Sequence, residues 1–222
     1  MNSKKLVIVG DSALAEIAYE YFTVDSDYDV VGFAVERDYV RGPEFMGEPM
    51  IAFEDMVERF SPAEHEVFVA VSYTQFNRLR ARLVSEAKAM GYKLASYISS
   101  RAFVWRNAVI GEHCFIFEDN TVQPFVTIED NTILWSGNHI GHHSRIRRNC
   151  FISSHVVVAG FCDIGENSFL GVNATVANNL NVGRDTWIGP NTAVMKDVAP
   201  GTLFKTPHTE PAKISALKLF KI

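Results

Sequence analysis

The sequence has few cysteines, no long apolar run and no clustered basic stretch. Its 222 residues include three cysteines, an odd number, and no C-x-x-C pair. A disulfide framework or a zinc knuckle is therefore not expected. No apolar run is long enough to span a membrane. The apolar segment at residues 6–9 is too short for the core of a signal peptide, so we expect a cytoplasmic location.

Acidic residues outnumber basic ones only in the first part of the chain. The net charge is −5, and residues 1–100 carry 10 Lys and Arg against 16 Asp and Glu. Residues 101–222 carry 11 against 10 and are almost neutral. A nucleic-acid-binding surface needs a clustered basic face. Binding to nucleic acid is therefore not expected.

Residues 104–194 repeat with a period of six. In steps of six from Val104, all sixteen positions are Val, Ile or Leu, without an insertion. The positions four residues further on are mostly small and include all three cysteines, which we interpret as packed core residues. Period six is typical of hexapeptide-repeat β-helices and not of an α-helix or a simple strand. It predicts a left-handed parallel β-helix in which three hexapeptides form each coil.

Residues 1–100 follow a different pattern. Short apolar runs alternate with segments of helical spacing, which predicts a small Rossmann-like α/β domain with a parallel sheet. The β-helix is expected over residues 101–199, and a tail that contains Pro207 and Pro211 over residues 200–222. In the first domain, strands are expected at residues 6–9, 30–35, 67–71 and 94–98, and helices at residues 12–22, 53–60 and 76–90.

The loop after the first predicted strand, residues 10–15, is one candidate site. Free N–H groups at the start of a helix that follows a parallel strand favour phosphate. The loop has one glycine, so an ordinary βα turn is an equal alternative. Glu36 follows the second predicted strand, where an acidic residue often accepts a hydrogen bond from a ribose hydroxyl. Together these features favour a nucleotide site.

Histidines provide the second candidate site, because four of the seven lie between residues 139 and 155. Histidine suits a general base, which acyl transfer needs to remove a proton from the attacking group. Zinc binding is the alternative, since some hexapeptide β-helices are zinc carbonic anhydrases that place a further histidine about two coils away. The positions two coils before and after residues 139–143 hold no histidine, which favours the catalytic interpretation. The cluster consists of His139, His142, His143 and His155.

Residues 134–144, together with the repeat and the preceding domain, resemble the hexapeptide acyltransferases of the sialic-acid O-acetyltransferase type. This group includes bacterial nucleotide-aminosugar N-acetyltransferases, and the resemblance covers nearly the whole chain. In that family the first domain binds a nucleotide sugar, the β-helix forms a homotrimer, and acetyl-CoA lies between two prisms. The resemblance implies an acetyl-CoA-dependent N- or O-acetyltransferase of a nucleotide-linked sugar in surface-polysaccharide or glycan biosynthesis, without a metal.

The resemblance also implies a catalytic base. The match at residues 164–171 places that base on His142, and His139 is the alternative. Relatives often have a carboxylate at the next position, where this chain has His143.

Binding residues follow from the same resemblance. Backbone contacts to CoA are expected near Val172 and Pro190, and Lys196 near a CoA phosphate, with a solvated lysine as the alternative. In relatives, the loop after the first strand is richer in glycine and usually carries a histidine, which residues 10–15 of this chain lack. Substrate contacts are expected at Ser12, Ala13, Leu14, Val35, Glu36 and Ser72.

Six aromatic residues lie outside the two predicted core columns of the β-helix, and exposed aromatic residues often mark interfaces. They are therefore expected at the contacts of a homotrimer. Two other functions stay open, a hexapeptide metalloenzyme of the carbonic-anhydrase type and a non-catalytic sugar-binding scaffold. The six residues are Trp105, Phe117, Phe125, Trp135, Phe151 and Phe161.

Overall fold

A computed structural model describes residues 4–206 and 210–222, so Pro207 of the predicted tail lies outside the described residues. Over the described part, no helix is long and apolar enough to cross a membrane. The elements are β1 (Lys4–Val9), α1 (Ala13–Val24), β2 (Tyr28–Val35), a 3-10 turn (Arg37–Tyr39), β3 (Glu44–Phe45), β4 (Glu48–Ala52), a 3-10 turn (Phe53–Asp55), α2 (Met56–Arg59), β5 (His65–Val69), α3 (Arg78–Ala89), β6 (Lys93–Leu94), β7 (Tyr97–Ile98), β8 (Phe103–Val104), β9 (Val109–Ile110), β10 (Phe115–Ile116), β11 (Thr121–Val122), β12 (Thr127–Ile128), β13 (Ile133–Leu134), β14 (His139–Ile140), β15 (Arg145–Ile146), β16 (Phe151–Ile152), β17 (Val157–Val158), β18 (Asp163–Ile164), β19 (Phe169–Leu170), β20 (Thr175–Val176), β21 (Asn181–Val182), β22 (Trp187–Ile188), β23 (Ala193–Val194), β24 (Leu203–Phe204) and α4 (Ala216–Phe220).

The first domain is built on a six-stranded sheet of order β3-β4-β2-β1-β5-β6. All neighbouring strands are parallel except β3, which runs antiparallel to β4. The central strand β1 is a continuous apolar run, and Leu6, Val7 and Ile8 are each 0% exposed. Such runs are typical of parallel strands that are buried on both faces. The predicted α/β class is confirmed.

The hairpin of β3 and β4 is not predicted by the sequence. Met46 and Gly47 connect the two strands, and both have a left-handed backbone, with φ of 52° and 84°. Two consecutive residues of this kind form the turn that suits a two-residue hairpin. Asn or Asp usually occupies the first of these positions, so Met46 gives little sequence signal.

The second domain is a parallel β-helix with two-residue strands. Strands 18 residues apart pair in register, as Phe115 does with Ile133, so the coil repeat is 18 residues. We name its three sheets by their surroundings. The domain-facing sheet contains β7, β10, β13, β16, β19, β22 and β24; the open sheet contains β8, β11, β14, β17, β20 and β23; the charged sheet contains β9, β12, β15, β18 and β21.

The inward positions match the predicted period. Fourteen of the sixteen aliphatic residues are buried, and Val104 and Ile110 of the first coil are partly buried. The three cysteines are buried free thiols, and burial raises the pKa of Cys150 to about 12. They act as packed core residues, as predicted. The left-handed parallel β-helix is confirmed.

Two predicted segments differ in detail. The strand expected at residues 94–98 is divided, because β6 pairs with β5 in the first domain, whereas β7 pairs with β10 in the β-helix. At the other end, β24 pairs with β22. The domain-facing sheet therefore continues into residues 200–222, beyond the last predicted repeat.

The domain-facing sheet is covered by the first domain. Trp135 stacks on Phe117, with ring centroids 4.6 Å apart, and Tyr21 of α1 packs edge-on against Phe117 at 5.1 Å. Phe117 and Phe151 are 2% and 3% exposed. The expectation of subunit contacts is therefore wrong for Phe117, Trp135 and Phe151, which pack within the chain. Trp105, Phe125 and Phe161 are 40%, 58% and 53% exposed.

Candidate active site

Turns between the short strands form three corners of the β-helix, and residues 18 apart share a corner. The histidine corner joins the open sheet to the charged sheet and contains residues 141–144. The asparagine corner joins the charged sheet to the domain-facing sheet and contains residues 129–132. The third corner joins the domain-facing sheet to the open sheet and contains residues 135–138.

His143 is held in an aromatic stack on the histidine corner. Its backbone is left-handed, with φ of 59°. Phe125 and Phe161 occupy the same turn position one coil before and one coil after. Their ring centroids lie 4.6 Å and 4.7 Å from that of His143. The two phenylalanine rings therefore fix the plane of the His143 imidazole, although the corner itself is exposed.

His142 lies beside His143, with the two Nδ1 atoms 3.1 Å apart. The backbone N–H of His142 donates to Oε1 of Gln123 at 2.9 Å, and its ring packs edge-on against Phe161 at 5.0 Å. Gly160 provides space for this ring, because a Cβ there would lie 2.8 Å from Cε1 of His142. Four residues thus determine where the imidazole lies.

This arrangement has the chemistry of a general base. If His142 donates from Nδ1 to Nδ1 of a neutral His143, Nε2 of His142 is unprotonated and accepts a proton. The hydrogen bond sets both the tautomer and the orientation of the ring, which is the role of the third group in catalytic triads.

The other histidines of the sequence cluster lie elsewhere. His139 lies on the open sheet between Thr121 and Val157, and His155 lies on the third corner against Gly137. The six-residue repeat separates them because each unit turns the chain onto another face. Within residues 4–206 and 210–222, no three His, Cys, Asp or Glu side chains converge in a way that would hold a metal ion.

The three positions expected to contact CoA lie at two different corners. Val172 and Pro190 lie one coil apart at the third corner, and Val172 is 42% exposed. Lys196 lies at the histidine corner, three coils after His142, and is exposed. The two corners flank the open sheet.

The first domain has a cleft of about 520 Å³ at the carboxyl ends of β1, β2 and β5. Four of the six residues predicted to contact the substrate line this cleft, namely Ser12, Val35, Glu36 and Ser72. Ala13 is exposed but does not line the cleft, and Leu14 is 4% exposed in the core of the domain. Gly10 permits the narrow turn before Ser12, since its φ is 137° and a Cβ would lie 2.8 Å from the carbonyl oxygen of Ala70.

Sequence reasoning missed several polar residues of the cleft, among them Arg82, Gln75 and Thr74. Nη2 of Arg82 donates to Oε1 of Glu36 at 2.9 Å, and Nη1 of Arg82 pairs with Glu86. Arg82 therefore brings a positive charge to the edge of a cleft that also contains Asp11. In the sequence, Arg82 resembles the solvated face of an amphipathic helix, and nothing local marks its contact with Glu36.

The cleft and the histidine corner are separated within one chain. The domain that carries the cleft packs on the domain-facing sheet. The histidine corner joins the other two sheets, on the side of the prism away from that domain. One copy alone therefore does not bring Glu36 and His142 together.

Known proteins share the repeat and the fold. Residues 107–142 and 143–178 match the family described as bacterial transferase hexapeptide (six repeats). No curated protein matches the chain at a significant level. Among solved structures, the chain is similar to PerB from Caulobacter crescentus in complex with CoA and GDP-perosamine. The sequences are 25% identical, the TM-score is 0.81, and the match covers 91% of this chain and 94% of that chain.

Two further structures share both domains. The acetyltransferase domain of PglB from Neisseria gonorrhoeae FA1090, in complex with acetyl coenzyme A, is 24% identical with a TM-score of 0.80, covering 91% of this chain and 96% of that chain. WeeI from Acinetobacter baumannii AYE is 16% identical with a TM-score of 0.54, covering 90% of this chain and 95% of that chain. The arrangement of an α/β domain before a β-helix is therefore common to all of them.

Proposed function

We propose that this chain is an acetyl-CoA-dependent acetyltransferase that acetylates an amino or hydroxyl group of a nucleotide-linked sugar in glycan biosynthesis. The observation that carries the proposal is the His142–His143 pair, whose Nδ1 atoms lie 3.1 Å apart on an exposed corner of a hexapeptide β-helix. The similarity to PerB, whose structure holds CoA and GDP-perosamine, supports both substrate classes.

The proposed reaction has two proton transfers. Nε2 of His142 removes a proton from the sugar amine or hydroxyl as that group attacks the thioester carbonyl of acetyl-CoA. The tetrahedral intermediate then collapses, the C–S bond breaks, and His142 returns the proton to the CoA thiolate. The products are the acetylated sugar and free CoA. His143 accepts the Nδ1–H hydrogen bond and stabilises the positive charge that His142 carries between the two steps.

The surface of the β-helix supports a homotrimer. The first domain covers one sheet, and ion pairs such as Arg147–Asp163 lie on the charged sheet. The open sheet instead exposes Phe103 and Val157, which are 53% and 39% exposed. Apolar surface of this kind is typical of an interface. We infer that three copies pack with their open sheets around a threefold axis.

This trimer would complete the active site. The two corners that flank the open sheet would each meet a neighbouring copy, so the histidine corner of one copy would face the third corner of the next. His142 and Lys196 of one copy would then line the same groove as Val172 and Pro190 of its neighbour. This groove is our proposed site for acetyl-CoA. The first domain of that neighbour adjoins the third corner, so its cleft would supply the sugar.

The first domain, residues 1–100, would thus bind the acceptor, and residues 101–199 would carry the acyl-transfer site, followed by the tail. In the cleft, Ser12 lies at the start of α1, where free backbone N–H groups favour phosphate. Glu36 and Ser72 would accept and donate hydrogen bonds to the nucleotide. The buried free thiols fit a reducing compartment, which supports a cytoplasmic location.

Purified protein tests the proposal directly. We expect CoA release from acetyl-CoA in the presence of GDP- or UDP-linked amino sugars, followed with a thiol reagent, and a product heavier by one acetyl group in mass spectrometry. Stoichiometric zinc with CO₂ hydration and no CoA release would instead establish the metalloenzyme. Nucleotide-sugar binding without turnover of any acyl-CoA would establish the scaffold.

A further inference from the structure

Arg80 of α3 is a fully buried charged residue that the proposed reaction does not use. Its side chain is 0% exposed, and it donates hydrogen bonds to backbone carbonyl and side-chain amide oxygens. Burial lowers the pKa of its guanidinium to about 10, so the group stays charged at neutral pH. Burying a charge without a carboxylate partner is unfavourable, and an apolar side chain of similar size is often tolerated better. A specific role would explain the arginine.

One edge of the guanidinium is bonded to the asparagine corner of the β-helix. Nε donates to Oδ1 of Asn131 at 3.0 Å, and Nη2 donates to the carbonyl oxygens of Asn131, Asn149 and Cys150 at 3.3, 3.3 and 3.2 Å. The side chains of Asn131 and Asn149 also form a ladder, because Nδ2 of Asn131 donates to Oδ1 of Asn149 at 2.8 Å. Arg80 therefore contacts two coils of a rigid stack.

The other edge is bonded to the cleft. Nη1 of Arg80 donates to the carbonyl oxygens of Ser72 and Val71 at 2.7 and 3.3 Å. These residues begin the loop between β5 and α3, and the cleft is lined by Ser72, Thr74 and Gln75 of this loop. One side chain thus connects a wall of the cleft to the β-helix.

This loop has an unfavourable backbone conformation. Gln75, Phe76 and Asn77 have φ of 49°, 54° and 66°, three consecutive left-handed residues without a glycine. Such a conformation persists only where the surroundings fix it. Asn77 is 0% exposed and donates from Nδ2 to the carbonyl oxygen of Asn167 at 3.2 Å. Nη1 of Arg80 also donates to Oδ1 of Asn77 at 3.3 Å.

We propose that Arg80 is a positioning residue for acceptor recognition, which fixes residues 71–77 against the β-helix so that Ser72, Thr74 and Gln75 contact the nucleotide-linked sugar. The inference rests on the proposed function, because it takes the cleft as the acceptor site. It adds that the geometry of the cleft is set by the second domain. Loss of Arg80 should therefore impair acceptor binding and leave the acetyl-CoA site intact.

Arg80→Met and Arg80→Lys test this proposal, with Lys88→Met as the matched control. Lys88 lies on the same helix and also pairs with the β-helix, at Glu112, but its side chain is 50% exposed and distant in sequence from the loop. In Arg80→Met, we expect hydrogen exchange in peptides of residues 71–77 to be on the order of tenfold faster, with a smaller increase in Arg80→Lys and with peptides of residues 131–168 unchanged in both. Arg80→Lys keeps the positive charge, but its ammonium group cannot bond the asparagine corner and the cleft loop at the same time. Its effect on the loop should therefore lie between that of wild type and that of Arg80→Met.

Calorimetry with GDP, UDP and acetyl-CoA supplies the second readout. We expect the nucleotide that the wild-type protein binds to bind ten- to a hundredfold more weakly to Arg80→Met, with the Kd for acetyl-CoA unchanged. In turnover, KM for the acceptor should rise while kcat at saturation stays near wild type. A purely structural defect would lower both affinities together.

The proposal would be overturned if residues 71–77 of the Arg80 variants exchanged hydrogen at the wild-type rate. Faster exchange with unchanged nucleotide affinity would overturn it too. If Arg80→Met does not fold, Arg80→Lys decides on the same two measurements. Failure of the wild-type protein to bind either nucleotide would count against the proposed acceptor, whereas the exchange experiment would still show whether Arg80 holds the loop.

Discussion

The imidazole of His142 packs against Gly160 so closely that a Cβ at Gly160 would lie 2.8 Å from Cε1 and 2.9 Å from Nε2 of the ring. The backbone of Gly160 lies outside the left-handed region, so alanine fits its conformation. The three atoms nearest to that Cβ all belong to the side chain of His142, which can rotate away. We therefore expect Gly160 to matter for the position of the proposed base and not for the fold.

Gly160→Ala should therefore reduce activity without loss of stability. Displacement of the base should lower kcat by more than about tenfold, since misplacement of catalytic groups is costly. The midpoint of chemical denaturation should stay close to wild type. Gly42→Ala is the matched control, because no atom of residues 4–206 and 210–222 lies within 4 Å of a Cβ at Gly42. Normal turnover of Gly160→Ala would show that the ring position of His142 does not matter.

His142→Asn should lower kcat by about 10² to 10⁴, the usual contribution of a general base. The Kd for acetyl-CoA should be almost unchanged, because asparagine is nearly isosteric and the corner accommodates it. The profile of kcat/KM against pH should also lose its acidic limb, which reports the essential base of the free enzyme.

His143→Asn should lower kcat less than His142→Asn does, since in the proposed mechanism His143 orients the base and does not transfer the proton. Asparagine also suits the left-handed backbone at this turn, as it does at the equivalent Asn179. His139→Asn should stay active, because His139 lies on the open sheet and not at the corner. If His139→Asn alone lost the acidic limb, the base would be His139 and our assignment would be wrong.

The period of six was readable from sequence because each inward position admits only aliphatic residues, and fourteen of these sixteen are buried. The α/β domain before the repeat was also readable, because continuous apolar runs such as residues 6–9 are typical of buried parallel strands. The packing between the domains was not, since Phe117 and Trp135 lie in outward positions that look alike on all three faces. Their partner Tyr21 is far away in sequence and gives no local signal.

The candidate site could be predicted from the sequence only in part. His142 and His143 are adjacent, so the pair is visible in the sequence. Arg80 and Arg82 look like ordinary charges on a helix, because their partners Asn131 and Glu36 lie 51 and 46 residues away. Contacts of that separation depend on the fold and leave no pattern of spacing.

Glu36→Ala should weaken acceptor binding and leave acetyl-CoA binding intact. Glu36 lines the cleft and accepts a hydrogen bond from Arg82 at 2.9 Å. A hydrogen bond from a ribose hydroxyl to a carboxylate would be worth about 1.5–3 kcal/mol, so nucleotide affinity should fall about tenfold or more. Calorimetry with each ligand separately measures this. Glu86→Ala is the matched control, because it removes the other partner of Arg82 outside the cleft.

Acid should destabilise the protein through His113. Burial and, secondarily, the nearby charge of Arg80 lower the pKa of His113 to about 3. Nε2 of His113 accepts a hydrogen bond from the backbone N–H of Val69 at 2.8 Å, which requires the neutral ring. In the unfolded chain histidine titrates near pH 6.5. Between about pH 6.5 and 3 only the unfolded state binds the extra proton, so the free energy of unfolding decreases as the pH is lowered.

His113→Asn should remove this dependence. Asparagine occupies the same turn at Asn131, so the backbone conformation is retained. Between pH 7 and 4.5, wild type should lose about 2–3 kcal/mol more unfolding free energy than His113→Asn. Urea denaturation at the two pH values measures the difference. His155→Asn, at an exposed position, should behave like wild type, and an equal loss in all three proteins would exclude His113 as the cause.

Mixed assemblies test whether the active site is shared between copies. His142→Asn removes the base from one side of the proposed groove, and Glu36→Ala weakens the acceptor cleft on the other. If the base of one copy serves the cleft of the next, trimers refolded from an equal mixture should recover up to about a quarter of wild-type activity at low acceptor concentration. His142→Asn refolded alone should stay nearly inactive, and Glu36→Ala refolded alone should keep about a tenth of wild-type activity or less at low acceptor concentration.

The recovery distinguishes the two geometries because no chain in the mixture has both His142 and Glu36. A site within one chain would therefore never be intact, and mixing would give no gain. Sedimentation at micromolar concentration should return a trimer, and a monomer would contradict the assembly. Val157→Glu should dissociate the trimer and abolish turnover together. Val157 is 39% exposed on the open sheet next to His139, so the substitution would place a charge in the proposed interface. Loss of assembly with full activity would show that one copy suffices and that the shared groove is wrong.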